Sequence, residues 1–145
     1  VLMNILAIDS SGDQTSVCVM LDGDVISFSR KHERKDRPNW NKLLSNIGHK
    51  KIFLLDDIDL FAYANSENSY TATRSVATYL KGISVALDKP LIAVLAEEDE
   101  GFHADKILMS AKQQFEKSGF NPKAFDPDDA NPVYAIDTQY KKINE

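Results

Sequence analysis

The chain has 145 residues, a net charge of −5 and a single cysteine, with 43% hydrophobic and 27% charged residues. These values are typical of one globular domain and argue against a general nucleic-acid-binding surface, which requires a concentration of basic residues. The lone Cys18 lies in an apolar run, so we expect a buried, unreactive thiol and no disulfide or thiolate metal cluster. The sequence shows neither a signal-peptide pattern nor an apolar run long enough for a membrane helix, which favours a cytoplasmic protein.

The first part of the sequence has the pattern of an antiparallel three-strand meander. Apolar and β-branched runs at 4–8, 16–21 and 25–29 predict the strands. The segment Asp22-Gly23-Asp24 predicts a hairpin turn, because Asp-Gly tolerates the positive φ angles of such turns. A basic run from Arg30 to Arg37 follows, which is typical of a solvated connection and less often of a partner-facing or RNA-facing patch.

Two helices alternate with two apolar strands in the next part of the chain. Pro38 fits the first turn of a helix that runs to Ile47 and ends before Gly48. Its apolar face comprises Trp40, Leu43, Leu44 and Ile47. Residues 60–64 predict a strand that is covered on both faces, and 91–95 predict the last strand.

The second helix, from the candidate N-cap Ser69 to Leu87, has two different faces. The apolar stripe comprises Ala72, Val76, Tyr79, Leu80, Ile83 and Leu87. The opposite face carries Tyr70, Arg74, Thr78 and Lys81. An aromatic residue and an arginine one helical turn apart are typical of interface hot spots, and the alternative for this face is simple solvation.

The order of three meander strands, helix, strand, helix and strand is that of the ribonuclease H-like unit from which actin-like ATPases are built. We therefore predict an α/β fold with a five-stranded mixed sheet and flanking helices over residues 3–95. An acidic connector at 96–101, a helix at 104–118 that stops at Gly119, and a turn-rich tail complete the chain.

A turn that is suited to phosphate follows the first strand. Asp9, Ser10 and Ser11 offer a carboxylate and hydroxyls of the kind that hold a metal-bound water or a phosphate, although Asp and Ser also simply shape tight turns. A nuclease of this fold needs further carboxylates at the same end of the sheet, and the fourth strand ends in Asn65 instead. The three histidines have no metal-ligand spacing, so we predict no metal site.

Two segments resemble the paired signatures of the TsaB family, also called YeaZ. Residues 3–11 read Met-Asn-Ile-Leu-Ala-Ile-Asp-Ser-Ser, similar to the family opening M-N-I-L-A-I-D-T-S. Residues 64–74 align without gaps with the second motif, G-R-G-P-G-S-F-T-G-V-R, and keep its Ser, aromatic, Thr and Arg as Ser69, Tyr70, Thr71 and Arg74. All the glycines of that motif are replaced, and Glu67 stands in the loop, where a carboxylate repels phosphate.

The resemblance implies a function without catalysis by this chain. TsaB proteins belong to the machinery that places threonylcarbamoyl on adenosine 37 of transfer RNAs. They bind the catalytic partner TsaD through a bundle of two helices from each protein, and TsaE is the accessory ATPase. The implied interface residues here are Trp40, Leu43, Tyr70, Arg74, Thr78 and Lys81. The resemblance further implies a self-dimer in isolation, only indirect contact with tRNA, no cofactor, and Asp9, Ser10 and Ser11 as a vestigial nucleotide turn.

The chain departs from the family pattern in length. TsaB proteins carry a second half-domain, and residues 96–145 are expected to be its remnant, formed by the acidic connector, a helix and the tail. Two alternatives stay open at this point. One is a nucleotide-binding or nucleotide-hydrolysing enzyme of the actin-like fold, and the other is a protein-interaction adaptor that keeps only a relic of the fold.

Overall fold

The structure, a computed structural model, describes residues 3–10, 13–33, 39–65, 70–95 and 104–127. Its strands are β1 (Ile5–Ser10), β2 (Gln14–Leu21), β3 (Asp24–Lys31), β4 (Leu60–Asn65) and β5 (Leu91–Leu95). Its α-helices are α1 (Trp40–Ser45), α2 (Tyr70–Leu87) and α3 (Ala104–Lys117), and short 3-10 helices occupy Leu55–Asp57 and Pro122–Phe125. None of the helices in these ranges combines the length and the apolar character that crossing a membrane requires.

The strands form one sheet in the order β3-β2-β1-β4-β5. β2 pairs antiparallel with both β1 and β3, whereas β4 runs parallel to β1 and β5 runs parallel to β4. The predicted mixed five-stranded sheet is therefore confirmed, with strands one, four and five parallel. Asp22 and Gly23 form the two-residue turn between β2 and β3 with φ angles of 52° and 90°, which is the positive-φ hairpin that the sequence predicts.

The sheet has an apolar layer on each face, because successive side chains of a strand point to opposite sides. On one face, Leu6, Ile8, Phe61 and Tyr63 pack with residues of α1 and α2. On the other face, Ile5, Ala7, Leu60 and Ala62 pack with α3. The α1–α2 pair and α3 thus lie on opposite sides of the sheet, and β1 and β4 are buried along their whole lengths.

Helix α1 is shorter than the sequence predicts. It begins at Trp40, where the Asn39 side chain caps it by accepting a hydrogen bond of 3.2 Å from the Lys42 amide, and Pro38 lies outside the described residues. Its last residue is Ser45, whose hydroxyl donates to the Lys42 carbonyl at 2.6 Å and so competes with the helix ladder. Gly48, the predicted stop, has a φ of +103° in the turn that follows.

Helix α3 is anchored to the sheet at its first residue. The Ala104 amide donates to the Ser16 hydroxyl of β2 at 3.2 Å, and the helix then covers its face of the sheet down to Phe115. It ends before Gly119, whose φ of +75° confirms the predicted stop. The acidic connector, Ser69 and most of the tail lie outside the described residues, and the assignment of 96–145 as the remnant of a second half-domain stays a prediction.

Candidate functional site

Polar side chains gather at the end of the sheet where the parallel strands β1 and β4 finish. Asp9 and Ser10 close β1, Asn65 closes β4, and all three are buried. Asp9 pairs across the sheet with Ser16, and Ser10 with Thr15. Ser11, the third predicted residue of the phosphate turn, lies outside the described residues. The sheet therefore brings Asp9 and Ser10 to the end of β1, where ligands of open α/β sheets bind.

A chain of side-chain hydrogen bonds starts at Ser10. The Ser10 and Thr15 hydroxyl oxygens are 2.8 Å apart, and Thr15 Oγ1 is 2.9 Å from Nε2 of His32. Nδ1 of His32 lies 3.0 Å from the Glu33 carbonyl oxygen. The predicted phosphate turn is thus tied to the residue that follows β3, and the Ser10 hydroxyl is engaged within the protein.

The carboxylates do not converge as a two-metal site requires. Asp9 is the one buried carboxylate among the described residues, and no group of three or more His, Cys, Asp or Glu side chains within them is placed to hold a metal ion. Asp59 accepts a 2.9 Å hydrogen bond from the Asn4 amide, and Asp57 accepts one of 2.8 Å from the Leu54 amide. Asp59 thus holds the start of β1 and Asp57 holds the turn before β4, and both lie at the opposite end of the sheet from Asp9.

The second candidate region is the outer surface of α1 and α2, which we call the α1–α2 surface and define by Trp40, Arg74, Ser75, Thr78 and Tyr79. The rings of Trp40 and Tyr79 stack with centroids 5.1 Å apart and an interplanar angle of 19°. The five side chains line a shallow groove of about 460 Å³. Arg74 and Thr78 are exposed along it, whereas the two aromatic rings are half-buried. Burial also raises the pKa of the Tyr79 phenol.

The two helices that form this surface carry charges of one sign. Helices α1 and α2 contain Lys42, Arg74 and Lys81 and no aspartate or glutamate, although the whole chain has a net charge of −5. Lys42 and Arg74 are exposed, and Lys81 is half-buried. Within the described ranges, no acidic side chain forms an ion pair with Arg74. The helix pair therefore presents a locally positive surface on an acidic protein.

Comparison with known proteins identifies the fold. No family model matches the chain. Among solved structures, YeaZ from Pseudomonas aeruginosa superimposes with a TM-score of 0.60 at 19% identity, over 81% of this chain and 51% of that one. The chain has the YeaZ fold. A further structure, described as an uncharacterized protein with similarity to peptidase YeaZ from Pseudomonas aeruginosa, gives a TM-score of 0.59 at 21% identity, over 65% of this chain and 44% of that one.

A curated protein provides the sequence relationship. A protein of Kosmotoga olearia named tRNA N6-adenosine threonylcarbamoyltransferase is 31% identical in an alignment 108 residues long that covers 63% of this chain and 33% of that protein. Together with the YeaZ fold, this relationship supports the resemblance to the TsaB (YeaZ) family. The chain spans about half or less of the length of each of these three proteins.

The YeaZ-like fold places the predicted interface residues in different environments. Trp40, Arg74 and Thr78 come together in the groove, and Lys81 lies further along α2. Leu43 is only 7% exposed and packs in the core under α1 and α2. Tyr70 begins α2, and its side chain lies outside the described residues.

Two residues of the groove are absent from the sequence-based prediction. Tyr79 falls in the apolar stripe of α2, yet it lies at the border of that stripe and stacks on Trp40. Ser75 lines the groove between Arg74 and Tyr79. The available signal is helical spacing, since Ser75 is three residues before Thr78 and four before Tyr79, which places all three on neighbouring parts of one face.

A further signal in the sequence is Gly82, one turn beyond Thr78 in the interior of α2. This glycine is exposed, and a Cβ atom added to it meets no heavy atom within 4 Å. Packing within the described chain therefore does not require glycine there, although glycine in a helix interior costs about 0.5–1 kcal/mol relative to alanine. The bare backbone at Gly82 leaves room for another helix to approach closely.

Proposed function

We propose that this chain is a non-catalytic partner subunit in the threonylcarbamoyl modification of tRNA and that it binds a TsaD-type protein through the α1–α2 surface. The observation that carries the binding role is the groove itself, in which the stacked Trp40 and Tyr79 rings lie beside an exposed arginine. Tryptophan, tyrosine and arginine are the residues most enriched in interface hot spots. The pathway is supported by the YeaZ fold and by the relative that is named a threonylcarbamoyltransferase.

The geometry of the groove suits a helical partner. Two adjacent helices that are exposed on one side can complete a four-helix bundle with two helices of another protein. Exposed Thr78 and Gly82 lie one turn apart on α2. Threonine is small and glycine has no side-chain carbon, so both permit a short interhelical distance. In the isolated protein a second copy is the available partner, so a two-fold self-dimer through the same surface is part of the proposal.

The environment of Asp9 supports a role without catalysis. It is the one buried carboxylate of the described residues, and its neighbour Ser10 is engaged in the hydrogen-bonded chain to Thr15 and His32. The proposed role needs no cofactor. TsaE, indirect contact with tRNA and a cytoplasmic location belong to the same proposal, because they follow from the family that the chain resembles.

A single substitution tests the interface. Thr78→Glu places a longer, charged side chain in the groove one turn from Arg74, where it overpacks a helix contact and neutralises the arginine, and overpacking alone typically costs about 1–3 kcal/mol. We expect the variant to fold as the wild type does and to lose co-purification with the TsaD-type protein of the same genome. Self-association, measured by light scattering during size-exclusion chromatography, should weaken as well.

Gln113→Glu is the matched control for this substitution. Gln113 is exposed on α3, so it gains the same charge on the opposite side of the sheet. It should leave both associations unchanged. Persistence of both associations at wild-type strength in a folded Thr78→Glu variant would remove the α1–α2 surface from the proposal.

An enzyme of the actin-like fold is the second candidate, and the name of the Kosmotoga olearia relative, a transferase, favours it. An ATP titration followed by an assay for released phosphate separates the two candidates. The partner-subunit proposal expects no hydrolysis above background. Metal-dependent turnover that disappears in Asp9→Ala would establish the enzyme instead, whereas capture of an unrelated protein through a Thr78-sensitive contact would indicate the adaptor.

A further inference from the structure

The charges on helices α1 and α2 constrain what binds at the α1–α2 surface, where Arg74 is the charged residue. The two helices carry Lys42, Arg74 and Lys81 and no acidic residue, on a chain whose acids outnumber its Lys and Arg residues by 22 to 17. The opposite helix, α3, contains both signs and places Lys112 and Glu116 3.0 Å apart as an ion pair on successive turns. The uniform charge is therefore a property of the α1–α2 side and not of the helices in general.

Arg74 is the residue through which this charge acts on a partner. Its side chain is exposed, lines the groove beside Trp40 and Tyr79, and has no ion-pair partner among the described residues. A guanidinium group offers donors in a planar fork that matches a carboxylate, and the two aromatic rings line the groove beside it. The hydroxyl groups of Ser75 and Thr78 line the same groove as additional donors.

We propose that the occupant of the α1–α2 surface is a protein whose docking helices carry carboxylates opposite Arg74, and that charge makes this acidic partner preferred over a second copy of the chain. This inference rests on the proposed function and specifies the chemistry of the partner at the same surface. Complementary potentials accelerate encounter and suppress wrong partners, whereas like charges that face each other are unfavourable.

A second copy meets this surface with the wrong sign. In a two-fold dimer, the same patch contributes from both protomers, so the positive potential around Arg74 faces its own copy. Added salt screens exposed charges and acts on the two associations in opposite directions. It weakens an attraction between unlike surfaces and relieves a repulsion between like surfaces.

The test measures both associations of the full chain at two salt concentrations. The probe is the TsaD-type protein of the same genome, and its affinity is measured by titration calorimetry in 50 mM and 500 mM NaCl, between which the Debye length falls from about 14 Å to about 4 Å. We expect heteromeric affinity to fall about tenfold or more at the higher salt, while self-association stays constant or strengthens. Arg74→Glu should lower heteromeric affinity by more than tenfold at the lower salt, and Arg74→Lys, which keeps the charge but not the planar fork, should lower it by less.

Lys106→Glu is the matched control for Arg74→Glu, because it makes the same change in net charge at an exposed position on α3. It should leave affinity within about twofold of wild type, which separates a local contact from the overall charge. Binding that is insensitive both to salt and to Arg74→Glu overturns this inference and leaves the proposed function standing. Absence of any binding by the wild-type chain overturns the proposed function, and the charge preference falls with it.

Discussion

Replacing Gly82 by alanine should stabilise the isolated chain. Gly82 lies in the interior of α2, is exposed, and has no heavy atom within 4 Å of the position that a Cβ atom would occupy. The added methyl group therefore meets neither a clash nor a new contact, and the full difference in helix propensity is realised. That difference is about 0.5–1 kcal/mol, which corresponds to a rise in Tm of about 1–4 °C for a domain of this size.

The same substitution should weaken binding of the TsaD-type partner. If a partner helix approaches the bare backbone at Gly82, a methyl group at that point overpacks the contact, and overpacking typically costs about 1–3 kcal/mol. Stability and affinity are then expected to move in opposite directions. Thermal unfolding followed by circular dichroism at low micromolar concentration gives the first quantity, and titration calorimetry gives the second.

Gly119→Ala provides the matched control for the stability measurement. A Cβ atom at Gly119 also meets nothing within 4 Å, but its φ is +75°, a conformation that costs about 1–2 kcal/mol for a residue with a side chain. Alanine should therefore lower Tm at Gly119 and raise it at Gly82. A lower Tm for Gly82→Ala would refute the argument that its environment is open, and a higher Tm with unchanged affinity would place the partner contact away from Gly82.

The remaining predictions concern the two perturbed groups of the core. Burial, with a smaller contribution from the Asp105 carboxylate, raises the pKa of the Cys18 thiol to about 12. The native chain should therefore not react with a thiol reagent at pH 8, whereas the urea-unfolded chain should react at once. Burial and the neighbouring Lys50 lower the pKa of His49 below its ordinary 6.5. As the pH falls, the unfolded chain therefore binds a proton at His49 before the folded chain does. The free energy of unfolding should consequently decrease as the pH falls below about 6.5. Urea titrations at pH 7.5 and 5.5 measure this loss, which His49→Asn should reduce; an equal loss in both proteins would assign it to other groups.

The fold was largely predictable because its signals are local. One continuous apolar run marks β4 as a strand covered on both faces, a second marks β5, and Asp22-Gly23 marks a hairpin turn, so the strand order follows from a few connection rules. The end of α1 was less predictable, since the Lys42 carbonyl there accepts hydrogen bonds from the Ser45 hydroxyl and the Asn46 side-chain amide, and the backbone continues with i to i−3 bonds. The apolar pattern of the sequence, which continues to Ile47, contains no information about these hydrogen bonds to the Lys42 carbonyl.

The candidate surface was predictable only in part. Arg74 and Thr78 follow from the polar face of α2, and both lie in the groove. The stacking of Trp40 on Tyr79 depends on how α1 crosses α2, which the pattern of either helix alone does not determine. For the same reason Leu43, on the apolar face of α1 with Trp40, belongs to the core whereas the tryptophan ring reaches the surface.

The donors and acceptors in the chain of hydrogen bonds from Ser10 to His32 follow from its last contact, between His32 Nδ1 and the Glu33 carbonyl. A carbonyl only accepts, so in the neutral imidazole of His32 the hydrogen resides on Nδ1, which faces the Glu33 carbonyl, and Nε2 accepts from Thr15. The single hydroxyl hydrogen of Thr15 is thereby committed, and Ser10 must donate its own to Thr15.

The hydroxyl of Ser10, at the end of the sheet where the parallel strands β1 and β4 finish, is therefore oriented through Thr15 by the ring of His32, the residue that follows the antiparallel edge strand β3.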